Sequence, residues 1–436
     1  MASRTTPRHH TRRDFTRASA ALATAAASYT ATMVHSSRAA AEEPRPLRIG
    51  VIGCGGRGSG AINDSLSINS GVMLVALADL YGRNCERLWK TMREAHPGKV
   101  AATDTSHDGL DGYKRILDDP NVDVVHVTST PGFHPLHARA AIAAGKHVFV
   151  EKPACVDPAG YRTCLAAHDE AVAKGLAIVG GTQYRRQVNY ASAVEQIRQG
   201  AIGDVIGAQA RYCSGGIWYR PRTEGMSDAE YQMNNWYHFV WLSGDQLVEQ
   251  GVHNIDLINW VMGDNPVSAY GSGGRFVRPD DSQLWDTFGI DFEYPGDRFV
   301  SFQSRHLPNT LSDVGNVIHG SKGTCHILGA NSGSRILDRS GKVVWEMKGS
   351  IADAYKQEHK ALIDSIRAGK PIVELRQMAD SSLVGVLGRL AAYTGQKVSW
   401  KFVAEESQLD LFPKDLTWMS SLPNPGFAVP GKTKLT

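Results

Sequence analysis

From residue 47 onward the chain alternates short apolar runs with polar stretches whose apolar positions recur at helical spacing. The runs 47–52, 72–78, 100–103, 122–128, 147–150 and 176–179 are four to seven residues long and rich in Val, Ile, Leu and Ala, which predicts buried strands. Amphipathic stretches at 59–69, 83–95, 111–118 and 135–144 lie between them. Strand, helix, strand at this spacing predicts a parallel sheet with right-handed crossovers. After about residue 200 the period changes. Segments 205–212, 267–276, 287–294, 298–306 and 323–328 alternate apolar and polar residues and are joined by turns such as Tyr294-Pro295-Gly296-Asp297, the pattern of antiparallel strands with one wet face. Helical stretches at 352–369 and 378–394 follow, and Pro413, Pro423, Pro425 and Pro430 mark the tail as an extended arm over the surface or onto a neighbouring subunit. Boundaries are placed at 47–165 for the parallel domain, 166–395 for the second domain and 396–436 for the tail.

The first 41 residues stand outside this pattern. Arg4, Arg8, Arg12, Arg13 and Arg17 form a basic lead, and the Ala- and Thr-rich run 18–34 is too short and too weakly apolar to span a bilayer. Thr11-Arg12-Arg13-Asp14-Phe15 resembles the twin-arginine export motif, and Ala39-Ala40-Ala41 offers small residues for cleavage before Glu42. The expectation is a signal over 1–41 and a mature protein in the periplasm or outside the cell. This segment also distorts the charge. The whole chain carries a formal +3, whereas without those residues the Lys+Arg and Asp+Glu counts become 41 and 43. A near-neutral body offers no basic field for nucleic acid or anionic lipid, so a small substrate is expected. With 42% hydrophobic and 21% charged residues, disorder and fibrous repeats are excluded.

The six cysteines form no C-x-x-C and no Cys/His cluster with zinc spacing, so no metal site is expected and the thiols read as unpaired. The sharpest local motif is Gly53-Cys54-Gly55-Gly56-Arg57-Gly58, a G-x-G-x-x-G between the first strand and a helix. Its glycines allow the turn, close approach of backbone to a pyrophosphate, and helix-on-strand packing, while the helix N-terminus favours the negative charge. Asp79 ends the second strand 21 residues after Gly58, where a carboxylate holds ribose hydroxyls. That acid repels a 2'-phosphate, so NAD is expected over NADP, with Arg83 as the residue that would accommodate the phosphate instead.

Two further segments carry a specific resemblance. Thr130-Pro131-Gly132-Phe133-His134 and Ala144-Gly145-Lys146-His147-Val148-Phe149-Val150-Glu151-Lys152-Pro153 resemble the glucose-fructose oxidoreductase and inositol dehydrogenase (Gfo/Idh/MocA) family over residues 47 to 395. The resemblance implies an α/β protein with an N-terminal Rossmann dinucleotide-binding domain, then an α/β domain whose open, mainly antiparallel sheet supplies the substrate pocket and an oligomer interface. A dimer or tetramer is expected. The family's E-K-P lysine falls on Lys152, and its Asp-x-Gly-x-His signature falls on Glu249-Gln250-Gly251-Val252-His253, with Glu in place of Asp. Thr130, Pro131, His134 and Glu151 join the glycine-rich loop as cofactor-binding candidates, and Gln183 or Tyr184 is the contact on the nicotinamide side.

These residue types fit oxidation of a secondary alcohol, which needs a base, a cation beside the developing alkoxide and a hydride acceptor. His253 titrates near neutrality and is the candidate base; Lys152 is the cation or proton relay. Glu249, one helical turn before His253 if a helix begins there, would orient the imidazole or bind a hydroxyl. Trp236 and Asp256 are candidate substrate contacts with Tyr184, and the aromatic-rich stretch 217–241, with Arg220 and Arg222, reads equally as a carbohydrate surface or a subunit interface. The leading expectation is an exported dehydrogenase of a sugar or cyclitol. A redox-neutral, NAD-dependent glycosidase like those of glycoside hydrolase family 109 and a non-catalytic sugar-binding relative are the alternatives; retention of Lys152 and His253 favours the dehydrogenase. Free NAD is scarce outside the cytoplasm, so a tightly held, internally recycled cofactor is expected.

Overall fold

The structure is a computed structural model and describes residues 45–436; the expected export signal lies outside the described residues. A six-stranded sheet comes first, built from β1 (Leu47–Ile52), β2 (Val72–Asp79), β3 (Ser106–Asp108), β4 (Val124–Val127), β5 (His147–Val150) and β6 (Ile178–Gly180) in the order β3-β2-β1-β4-β5-β6. Every pairing in it is parallel, as the strand–helix alternation predicts. Helices α1 (Gly56–Ile68), α2 (Gly82–Ala95), α3 (Gly112–Asp118), α4 (His134–Ala143) and α5 (Pro158–Lys174) form the connections. Alternate residues of one strand enter separate cores: Val124 packs with α1 and α2, while Val125 and Val127 pack with α4 and α5. Each Val, Ile, Leu or Phe so withdrawn contributes about 1.5–3 kcal/mol, so the strands read as continuous apolar runs.

Two expectations change here. The run 100–103 makes only one bridge, Val100 to Leu74, and the edge strand forms instead at Ser106–Asp108. The chain swings outward between them, where Asp104 pairs with Arg93 at the surface, and it returns at Thr105, whose carbonyl accepts from Leu77 N at 2.9 Å. The boundary at 165 falls inside α5, and β6 beyond it completes the first sheet. Helix α5 was missed because its apolar positions are mostly alanine; Asp157 caps it by accepting from Gly160 N, with Pro158 opening its first turn.

The second sheet has nine strands: β7 (Val205–Ser214), β8 (Ser268–Gly274), β9 (Thr287–Tyr294), β10 (Arg298–His306), β11 (Asp313–Gly320), β12 (Gly323–Leu328), β13 (Ser334–Asp338), β14 (Val343–Met347) and β15 (Val398–Ser399). Its order is β14-β13-β12-β11-β7-β10-β9-β8-β15, antiparallel except for the β7–β10 pair. One face is wet, with Ile206, Tyr270 and Phe299 more than half exposed. Helices α6 (Val188–Arg198), α7 (Asp228–Asn234), α8 (Val240–Ser243), α9 (Gln246–Glu249), α10 (Val252–Met262), α11 (Ile351–Arg367) and α12 (Leu375–Thr394) complete the chain. Helix α12 is buried along most of its length. Helix α11 returns to the first domain, placing Leu362 and Ile363 in the core under β1. In a third core, Leu411, Phe412, Trp418 and Leu422 of the tail pack with Phe133, Phe239 and Trp241, so the tail lies on its own chain.

Candidate active site

The C-terminal ends of the first sheet's strands open into one cavity of about 1080 Å³, which the second domain closes from the other side. At one end lies the glycine-rich turn. Gly53 sits at φ +97°, and a Cβ there would stand 2.5 Å from Ser129 N; one on Gly58 would stand 1.9 Å from the carbonyl oxygen of Gly53. Gly55 and Gly56 instead have nothing within 4 Å of a Cβ position, at the point where α1 begins. An open, glycine-lined helix N-terminus fits a dinucleotide pyrophosphate. Asp79 braces this turn: its Oδ2 accepts from Cys54 N at 2.7 Å, and its Oδ1 accepts from Tyr81 N at 2.9 Å and Asn84 Nδ2 at 2.8 Å. A carboxylate offers about four lone-pair sites, so about one remains for a ribose hydroxyl. Arg83 lies 4.2 Å from the centre of the Tyr81 ring and lines the same end.

The loops after β4 and β5 form the middle of the cleft. Thr130 and Pro131 line it, and Lys152 and Pro153 are joined by a cis peptide. Arg57 turns inward from the glycine loop, pairs with Glu151, approaches Glu358 at 3.5 Å and stacks 4.6 Å from the centre of the Tyr355 ring. The Glu358 carboxyl is wholly buried, and burial followed by the neighbouring Glu151 charge pushes its pKa well up. Arg57 and Glu151 therefore line the cleft but spend their charges on each other. His134 is similar: its ring nitrogens contact the carbonyls of Pro153 (2.7 Å) and Ser129 (2.8 Å), tying the two loops together. Gln183 lines the wall and donates to Tyr355 Oη at 3.3 Å.

The inner end gathers the three residues assigned to chemistry. Lys152 Nζ donates to Glu249 Oε1 at 2.9 Å and to the Glu249 carbonyl at 2.8 Å, while Glu249 Oε2 is buried without a partner. Glu249 ends α9 and His253 lies in α10, so a break at Gln250-Gly251 separates them rather than one continuous helix; both still line the cavity. Glu249 holds Lys152, not the imidazole. Tyr184 packs against His253 with ring centres 5.2 Å apart. His253 departs from the expectation of near-neutral titration: burial, then the positive charges of Lys152 and Arg57, push its pKa well below 6.5. The imidazole is thus neutral at pH 7 and able to accept a proton.

One assignment is overturned. Asp256 does not reach the cavity: it lies one turn deeper on α10, where Arg185 grips it through Nε (2.8 Å) and Nη2 (2.9 Å) and Ser381 Oγ donates at 2.8 Å. It is a buried structural ion pair. Trp236 does line the cavity. Sequence reading missed Tyr212, Gln250 and Tyr355 on the walls. Gln250 stood inside a motif already quoted, whereas Tyr355 comes from α11, which only the fold brings back to the glycine loop.

A profile described as "Oxidoreductase family, NAD-binding Rossmann fold" matches residues 47–178, and the Gfo/Idh/MocA C-terminal domain matches 190–326. The chain belongs to the Gfo/Idh/MocA family. It is 26% identical over 337 residues to inositol 2-dehydrogenase 3 of Saccharopolyspora erythraea, covering 74% of this chain and 86% of that one. Among solved structures, myo-inositol 2-dehydrogenase of Lactobacillus plantarum aligns with a TM-score of 0.63 at 21% identity, covering 81% of this chain and 99% of that one. The scyllo-inositol dehydrogenase of Lactobacillus casei, bound to NAD(H) and scyllo-inositol, aligns with a TM-score of 0.63 at 18% identity, covering 81% and 99%. At these identities the solved structures establish the shared Gfo/Idh/MocA fold, and the chain is an oxidoreductase of this family.

Proposed function

We propose that this chain is an exported, NAD-dependent oxidoreductase that takes hydride from a secondary alcohol of a cyclitol or sugar. The observation that carries the proposal is the convergence of Lys152, Glu249 and neutral His253 at the inner end of the cleft whose other end is the glycine-rich turn. Bound NAD would supply the hydride acceptor. His253 accepts the hydroxyl proton on an imidazole nitrogen. Lys152 has three N–H donors, two of them held by Glu249, and the third is free to stabilise the alkoxide oxygen. Glu249 fixes that ammonium and keeps Oε2 for a substrate hydroxyl. The inositol dehydrogenases among the relatives support the substrate class, and the Lactobacillus casei neighbour supports NAD.

Export by the twin-arginine route, on the strength of Arg12-Arg13, joins a cofactor that stays bound and is recycled by a second carbonyl substrate. The tail supports retention, because Trp418 packs edge-on against Tyr81 at 5.5 Å, and Tyr81 lines the cavity beside Asp79. Ile206, Tyr270 and Phe299 on the wet sheet face support self-association. The test is to purify the protein without added nucleotide, denature it and identify released nucleotide by mass spectrometry and absorbance at 340 nm. About one NAD(H) per chain is expected. Complete loss on gel filtration, with activity then depending on added NAD, overturns retention.

A further inference from the structure

The aromatic stretch 217–241 resolves into two groups. Tyr237, Phe239 and Trp241 are buried, whereas Trp218 is 39% exposed and lines the cavity with Trp236, Arg220 and Asn234. The two groups are linked by a ladder of rings. Centre-to-centre distances are 6.2 Å from Trp218 to Trp236, 5.2 Å to Tyr237, 6.0 Å to His306 and 6.0 Å to Tyr212. Tyr212 Oη then donates to Gln250 Oε1 at 2.8 Å, beside Glu249. Tyr237 and His306 are buried and do not line the cavity, so the ladder braces the wall from within the protein, while Trp218, Trp236, Tyr212 and Gln250 all line the cavity that holds Lys152 and His253. Trp218 lies in the same cavity but comes from a different segment.

This outer chamber is built in place. Arg220 stacks 4.6 Å from the centre of Trp218, and its Nη1 donates to the carbonyl (2.9 Å) and Oδ1 (3.2 Å) of Asn234. Its backbone is clamped on both sides by Asn235, which accepts from Arg220 N and donates to Arg220 O, each at 2.9 Å. The ordering of these groups is accomplished by the fold, not by a ligand. Indole faces pack against sugar C–H surfaces while guanidinium and amide groups bind hydroxyls, a pairing suited to a sugar ring and poorly suited to an alkyl chain.

We propose that the cleft takes a two-ring substrate. The reacting ring sits at Lys152 and His253, and a glycosidically linked second sugar ring lies on Trp218 and Trp236 with its hydroxyls on Arg220 and Asn234. The proposal rests on the oxidoreductase reading above and adds the substrate's size. The test uses the whole protein with NAD and a panel of single-ring probes (myo-inositol, D-glucose) and two-ring probes (galactinol, cellobiose, maltose). Binding is read by tryptophan fluorescence and turnover at 340 nm. At least one two-ring probe is expected to bind about tenfold more tightly than its single-ring counterpart, the scale of one well-placed aromatic contact. Trp218→Ala should abolish that ratio in both binding and kcat/KM, and Trp218→Phe should restore part of it. Equal affinity for one and two rings across the panel, or a Trp218→Ala loss that is the same for both sizes, overturns the outer site. Trp218-dependent binding of a two-ring probe without any cofactor reduction upholds the outer site and counts against the dehydrogenase reading instead.

Discussion

Replacing Lys152 by Met separates what the lysine does for stability from what it does for chemistry. The Lys152 and Glu249 side chains are only 13% and 8% exposed, and their charged atoms lie 2.9 Å apart. At an effective dielectric of about 20 the gross attraction is about 6 kcal/mol, from which desolvation of both groups is subtracted. Removing the ammonium alone leaves the Glu249 carboxylate buried and uncompensated, with Oε2 already lacking a partner. Breaking such a pair costs about 3–5 kcal/mol. Adding Glu249→Gln removes the stranded charge, so the double variant should regain about 2 kcal/mol or more, read as a shift of the urea midpoint back toward wild type. Hydride transfer should behave differently. Single-turnover rates at 340 nm should fall by about 10² to 10⁴ in Lys152→Met and stay low in the double variant. A single variant that loses less than about 1 kcal/mol, with nothing regained in the double, would show the pair to be solvated and would refute the reasoning. Recovery of rate in the double variant would show that Lys152 takes no part in the chemistry.

With His253 held neutral by burial and by Lys152 and Arg57, kcat/KM should stay level from pH 8 down to pH 6.5 and decline only in more acid solution; a limb with an apparent pKa at or above 6.5, absent in His253→Asn, would contradict the assignment. Asp79→Ala should weaken NAD binding more than NADP binding, measured by titration of the cofactor-free protein, because it removes the ribose acceptor and the charge that repels a 2'-phosphate; equal losses would count against it. Burial lowers His126, His137 and His306 to about 3 each, below the unfolded value of 6.5, so the unfolded chain binds more protons in acid. Their stabilisation is complete above about pH 6.5 and is lost as pH falls toward 3, at up to about 1.4 kcal/mol per pH unit for each, so a urea midpoint that does not drop between pH 6.5 and 5 would contradict their burial as neutral rings.

Most of the first domain was legible because β1, β4, β5 and β6 are largely buried on both faces and the glycine turn has a fixed offset to Asp79, so local pattern and local chemistry coincide there; the exposed edge strand β3 lacks that signal. Strands β9 and β10 were legible to the residue for a related reason, a Pro-Gly turn between two alternating runs. What failed was set by tertiary packing. Strand β13 has only two apolar residues in five and β14 leaves its apolar residues exposed or half-buried without alternation, so neither stands out; β13 exists because β12 offers an edge, and β14 because β13 does. Asp256 has the spacing of a cleft residue on α10, yet Arg185, brought in from the turn after β6, captures it. The Lys152–Glu249 pair joins residues 97 apart. Their motifs could be found separately in sequence, but only the fold, which brings the end of α9 to the loop after β5, shows that the glutamate serves the lysine. Tyr355 and Glu358 had no sequence signal, because nothing before the fold ties α11 to Arg57.

The central claim is that His253, as proton acceptor, and Lys152, as the cation beside the alkoxide, assist transfer of hydride from an alcohol carbon to NAD in this cleft. The most direct measurement mixes the wild-type protein, Lys152→Met and His253→Asn with NAD and a panel of cyclitols, aldoses and their glycosides, following absorbance at 340 nm and identifying the ketone product by mass spectrometry. The account predicts NADH formation matched by a product two mass units lighter for at least one alcohol, and about 10² to 10⁴ less in each variant although both still bind the dinucleotide. Normal dinucleotide binding with no alcohol oxidised, or undiminished oxidation in either variant, would contradict it.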